Sequence, residues 1–165
     1  GWLIIGSIWG LLNAPHDFHW NRMRLPLVIS LGLGVFWISA ANASPVLATF
    51  MIFVMAVFAI LAMLRAGAAT PVWQVRPVAL YAGWLTAATG VGTGVVLGGY
   101  GILSPQMAAV VMLVAVMASA LIVQSLRSFE WAYPLAVCWA LAGVIAANLP
   151  SKNWSRMRST PGPTE

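Results

Sequence analysis

The chain has 165 residues, 61% of them hydrophobic and only 7% charged, with a mean hydropathy of +0.91. Soluble domains carry about 25% charged residues, so a water-soluble fold of this length would lack the polar surface to cover itself. The net charge of +5 comes from basic residues at the ends of apolar runs, not from a patch interleaved with aromatics; this argues against nucleic acid and for the lipid bilayer as partner.

Between Arg24 and Arg65 lie 40 residues without a formal charge, between Arg76 and Arg127 lie 50, and between Glu130 and Lys152 lie 21. A membrane-spanning helix needs about 20 apolar residues, so these runs read as two spans, two spans and one. The expected fold class is all-α, a polytopic transmembrane helical bundle of about five full spans plus a truncated N-terminal helix. It forms a single transmembrane domain over residues 1–149, followed by a polar, Pro/Ser-rich tail over 150–165.

The opening segment, 1–13, begins "GWLIIGSIWGLL", about 12 residues or roughly 18 Å of helix. That falls short of a hydrocarbon core of about 30 Å. It lacks the basic region and cleavage site of a signal peptide, and reads as a helix entered partway along. "APHDFHW" follows, with His16 and His19 three apart. On a helix that spacing could offer two imidazoles to a metal or a tetrapyrrole. No third ligand accompanies them, and the segment between Pro15 and Pro26 reads as an interfacial loop with solvated or headgroup-bonding histidines.

The remaining apolar segments run over 25–43, 45–64, 78–99, 105–126 and 131–149. "NASP" (42–45) and "LSP" (103–105) each place serine before proline, a cap followed by a residue suited to the first helical position. Ser44 and Ser104 are the expected caps, "GGYG" (98–101) the expected stop of the fourth segment, and Pro134 falls in the first turn of the last. The loops after the first, third and fifth segments carry Arg22 and Arg24, Arg65 and Arg76, and Arg127, whereas those after the second and fourth carry no basic residue. The positive-inside rule places the arginine-bearing loops in the cytoplasm. Alternation puts Lys152, Arg156 and Arg158 of the tail on the opposite side, which the same rule disfavours.

The stretch "LYAGWLTAATGVGTGVVLGGYG" (80–101) holds seven glycines and three threonines. Ala82, Thr86, Gly90, Gly94 and Gly98 recur every four residues and share one helix face. In lipid such a face lets backbones approach for dispersion contacts, so a packing seam is one reading. A groove for a flat ligand or a partner subunit's helix is the other. Trp20, Trp73, Trp131 and Trp154 sit near segment ends, as an interfacial belt would. Trp9, Trp37, Trp84 and Trp139 lie within apolar segments, where indoles either fill volume or cage a large planar ligand.

No Asp, Glu, Lys, Arg or His lies inside a full span, where an ionisable group would mark an ion or proton path. This argues against a pump, an ion-coupled transporter or a metal-dependent membrane enzyme. There is no nucleophile–base pairing, no phosphate loop and no metal-ligand cluster, and the lone Cys138 can form no internal disulfide. The chain reads as non-catalytic.

"PVALYAGWLTAAT" (77–89), "LPLVISLGLGVFWISAANASPVLATFMIF" (25–53) and "WAYPLAVCWALAGVIAANL" (131–149) resemble the divergent bacterial branch of the tryptophan-rich sensory protein family, which is related to the mitochondrial translocator protein. The resemblance spans residues 25–149 and is most specific at "LYAGWLTAA". It implies an all-helical protein of the bacterial inner membrane that binds tetrapyrroles, of porphyrin or bacteriochlorophyll type, or other hydrophobic ligands between its helices, in a regulatory or stress-linked role. Trp84 and Ala87 look similar to the tryptophan and alanine of a family helix, and Trp37 and Asn42 fall where the family has its own Asn and Trp, in a different order. With Tyr81 these are the ligand contacts the resemblance implies. The chain departs from the family pattern in lacking a proline-rich tryptophan loop and in carrying two segments beyond the "GWLTAA" helix. A second function therefore stands beside the first: an accessory subunit docking its small-residue face on a larger photosynthetic or respiratory membrane complex, or on a second copy of itself.

Overall fold

The structure, a computed structural model, describes residues 18–67 and 70–148. Among the described residues five helices follow one another: α1 (Phe18–Ala43), α2 (Pro45–Arg65), α3 (Val72–Gly99), α4 (Pro105–Leu126) and α5 (Ala132–Asn148). The first four are long and apolar enough to cross a membrane. The fifth is described over 17 residues, about 26 Å of helix. The opening segment 1–13, His16 and the tail lie outside the described residues.

The helix ends follow local chemistry. Ser44 accepts from the Leu47 amide at 3.4 Å and Ser104 from the Met107 amide at 3.3 Å, each with proline opening the helix. At the C-terminus of α3, Gly101 adopts φ +69°, and the Ile102 amide returns to the Leu97 carbonyl at 3.0 Å. Only glycine takes that left-handed backbone without strain.

Two helices start earlier than the prolines suggest. Helix α1 begins at Phe18 and runs through Pro26, so His19 sits on helical backbone instead of in an interfacial loop; α3 begins at Val72 and runs through Pro77. A proline frees one carbonyl a turn back, and in a bundle neighbouring groups tolerate that loss. Pro26 is among the most deeply buried side chains; packing overrides its breaker tendency.

Helix α3 is the hub, in contact with α2, α4 and α5, while α1 packs on α2 and the pair α4–α5 barely touches. The core gathers small and medium side chains, among them Ala59, Ala62, Ala79, Ala82, Met23, Leu85 and Tyr133. Outward faces are as apolar as the core, with Phe36, Phe50, Val95, Leu121 and Ile145 exposed. A soluble protein hides such residues; a bilayer solvates them.

Alternation of the helices puts Arg22, Arg24, Arg65, Arg76 and Arg127 at one end of the bundle. There the Arg127 guanidinium donates to the Met63 and Ala66 carbonyls at 2.6 and 2.7 Å, so a cation from the α4–α5 loop caps the C-terminus of α2. Arg76 lies over the Trp131 ring, 4.9 Å from its centroid, a cation–π pair at the level where an interfacial belt belongs. Glu130, also at this end, is buried and accepts from the Ala132 amide at the start of α5, at 3.3 Å.

Candidate ligand slot between three helices

The small-residue ladder of α3 decides the geometry of the site. A Cβ added at Gly90 would run into the Val116 side chain; one at Gly94 would stand 3.6 Å from Met112 Cγ, and one at Gly98 would stand 3.5 Å from Pro105 Cα. Each four-residue step down α3 thus meets a step up the antiparallel α4. Higher on α3, a Cβ at Gly83 would strike the Tyr133 carbonyl oxygen, because α5 crosses there at backbone contact. The Tyr133 hydroxyl lies 3.0 Å from Thr86 Oγ1, which itself bonds the Ala82 carbonyl at 2.9 Å. Ala82, Thr86 and Gly90 are buried, whereas Gly94 and Gly98 are half-buried.

The two partners of α3 diverge beyond that crossing and leave a slot of about 500 Å³. Its floor is Ala87, Gly90, Val91, Gly94, Val95 and Gly98 of α3; its walls include Ala109, Met112 and Val116 of α4 and Leu141 and Val144 of α5. Every lining side chain is aliphatic, methionine or glycine. A smaller recess of about 260 Å³ lies on the other side of α3, between Thr49, Phe50 and Phe53 of α2 and Thr89 and Thr93 of α3. Thr49, Thr89 and Thr93 turn their hydroxyls back to the carbonyl four residues earlier, at 2.8 Å in each case. This satisfies them within the helix and leaves methyls to face outward.

The residues that the resemblance singles out fall in different places. Ala87 lines the slot. Tyr81 points the other way, its hydroxyl 3.2 Å from Ser30 Oγ, which donates to the Met55 carbonyl at 2.8 Å and so joins α1, α2 and α3. Trp37 packs against the core from α1, its indole nitrogen buried without a hydrogen-bond partner among the described residues. Trp84 is 54% exposed on the outer surface, and Asn42 is exposed in the last turn of α1. Asn42 lies 12 residues beyond Ser30, about 18 Å along α1, and so far from Tyr81. Trp139, at 79% exposure, also faces outward. Only the four-residue period of small side chains signalled the slot; the aliphatic wall residues on α4 and α5 carry no sequence signature.

A model of the TSPO-like protein family matches residues 2–158, nearly the whole chain. The chain belongs to the TSPO-like family. The match takes in α4 and α5, the two segments after the "GWLTAA" helix, so these belong to the family pattern that the chain follows. No curated protein and no solved structure matches it. The chain is a TSPO-like multi-pass membrane protein.

Proposed function

We propose that this TSPO-like protein binds a lipophilic ligand without transforming it, and that the slot between α3, α4 and α5 is where the ligand sits. The observation that carries the reading is the slot itself: about 500 Å³, lined by apolar side chains, with Gly90, Gly94 and Gly98 along its α3 side. Ligand pockets commonly fall between about 300 and 1,000 Å³. A tetrapyrrole of porphyrin or bacteriochlorophyll type, which the family resemblance implies, is one such ligand. A non-catalytic, sensory role is the one that the family resemblance implies. The bacterial inner membrane is the proposed location, with the arginine end in the cytoplasm.

The second reading, an accessory subunit docking on a larger membrane complex, draws on the same small-residue face: Ala82 and Thr86 are covered within the chain, while Gly94 and Gly98 are half-buried and line the slot. Titration of the protein in lipid nanodiscs with protoporphyrin, followed by tryptophan quenching, tests the ligand reading. Ala109→Phe, which fills the slot from its wall, should weaken binding at least tenfold. Equal affinity in Ala109→Phe, with loss in Trp37→Phe or Trp84→Phe, would move the site away from the slot.

A further inference from the structure

The arginine end carries more positive charge than the chain neutralises there. Among the described residues it holds Arg22, Arg24, Arg65, Arg76 and Arg127, and the one carboxylate beside them, Glu130, is buried and takes the Ala132 amide at the start of α5. Three of these arginines stand around the α4–α5 loop. Arg127 lies on the last turn of α2, held by the Met63 and Ala66 carbonyls, and that turn also carries the exposed Arg65. Arg76, exposed near the start of α3, lies over the Trp131 ring. A turn closed by the Glu130 amide on the Arg127 carbonyl, at 3.1 Å, joins Arg127 to Trp131.

What these guanidinium groups leave unfilled defines the ligand. Arg127 makes both of its bonds from Nη1, so Nη2 and Nε reach no acceptor among the described residues. Arg76 is held by its flat face, which leaves its N–H donors in the plane of the group, directed outward from the edge. Helix α3 begins at this end with no acidic residue in its first turn and no side-chain cap, so the helix dipole adds to the positive potential around Arg76. A planar fork of donors in a positive field matches the paired oxygens of a phosphate.

The surroundings match a phosphate carried by a lipid. Trp131 and Phe129 are exposed at this level, and Ile122 and Leu126, on the last turns of α4 leading to Arg127, are exposed as well. A headgroup held at Arg127 lays its acyl chains along that apolar face. The same positive field repels the choline cation of a zwitterionic lipid and favours a headgroup with net negative charge. We infer that Arg76 and Arg127, with Arg65 beside them, bind the phosphate of one anionic phospholipid at the arginine end. Trp131 is a positioning residue, holding the Arg76 guanidinium flat.

Native mass spectrometry of the protein from micelles holding equal amounts of palmitoyl-oleoyl phosphatidylglycerol and phosphatidylcholine tests this. Wild type should retain one phosphatidylglycerol about tenfold over phosphatidylcholine. Arg76→Gln and Trp131→Leu should each lower that retention about fivefold. Arg22→Gln removes the same charge from the same end, on α1, and should lower it about twofold at most. Arg76→Lys keeps the charge without the fork and should fall between wild type and Arg76→Gln; where Arg76→Gln melts early in lipid-free detergent, Arg76→Lys carries the comparison. Inorganic phosphate at matched ionic strength should leave the retained lipid in place. Equal retention of the two lipids, or an Arg22→Gln loss as large as that of Arg76→Gln, would overturn the site in favour of a diffuse positive field. Displacement of the lipid by inorganic phosphate would assign the arginines to a free anion and sink the lipid assignment.

Discussion

The Tyr133 hydroxyl and Thr86 Oγ1 meet at 3.0 Å where α5 crosses α3. Tyr133 is fully buried, and the Thr86 hydroxyl is also bonded to the Ala82 carbonyl, so the proton order is Tyr133 to Thr86 to Ala82. The pair fixes the crossing above which the helices touch and below which the slot opens.

That order makes the two ends of the pair unequal. Tyr133→Phe leaves Thr86 bonded to Ala82 and orphans nothing, so it should cost about 0.5–1 kcal/mol, the scale of a hydrogen bond inside a membrane protein. Thr86→Ala leaves the Tyr133 hydroxyl buried without a partner and should cost about 1–3 kcal/mol. Reversible unfolding of the two variants in mixed micelles measures the order; a costlier Tyr133→Phe would refute it.

Glycines along α3 should differ sharply in what they tolerate. At Gly83 a Cβ meets the Tyr133 backbone oxygen, and Ala136 Cβ at 2.9 Å, which only a shift of α5 relieves. Gly83→Ala should therefore destabilise by about 1–3 kcal/mol, the range for overpacking. At Gly99 nothing lies within 4 Å, and Gly99→Ala should be neutral or slightly stabilising because alanine favours helix. Melting temperatures of the two variants, compared in the same detergent, give the answer.

Arg127 holds the α4–α5 loop to the end of α2 through two carbonyls. Arg127→Ala removes both bonds and the charge at the helix C-terminus, and should cost about 1–2 kcal/mol after allowance for partial exposure. Lysine presents one compact ammonium in place of a planar fork, so Arg127→Lys should recover only part of the loss. Proteolysis within the α4–α5 loop, at Phe129 and its neighbours, should quicken in the order wild type, Arg127→Lys, Arg127→Ala.

The proposed orientation, with the arginine end in the cytoplasm, is open to labelling. In a Cys138→Ser background, Phe129→Cys at that end should react with an impermeant maleimide only when the cytoplasmic face is accessible. Ile102→Cys, in the α3–α4 turn, should react from the opposite face. Labelling in intact cells and in inverted vesicles separates the two faces, and the reverse pattern would overturn the orientation.

Much of the architecture was legible in the residues. Long charge-free runs mean helices in lipid, because no other backbone satisfies its own hydrogen bonds there. Ser44 and Ser104 mark their helix starts because a hydroxyl before a proline has one local partner, the amide three residues on. The helix starts near Pro26 and Pro77 were less legible, since a buried proline is tolerated only when neighbouring helices enclose it.

The site was legible in one respect. The period of Ala82, Thr86, Gly90, Gly94 and Gly98 located a smooth face on α3, because a four-residue repeat aligns along a helix whatever surrounds it. Sequence could not say which way that face turns, since in lipid the outside of a bundle is as apolar as its inside and hydrophobicity no longer distinguishes them. Only the packing of the helices on α3 decided that the ladder is buried at Ala82, Thr86 and Gly90 and opens into the slot at Gly94 and Gly98, that Trp84 looks outward, and that Tyr81 bonds to Ser30 instead of facing the slot. The slot itself is where α4 and α5 diverge from one another, a property of three helices together that no single segment encodes.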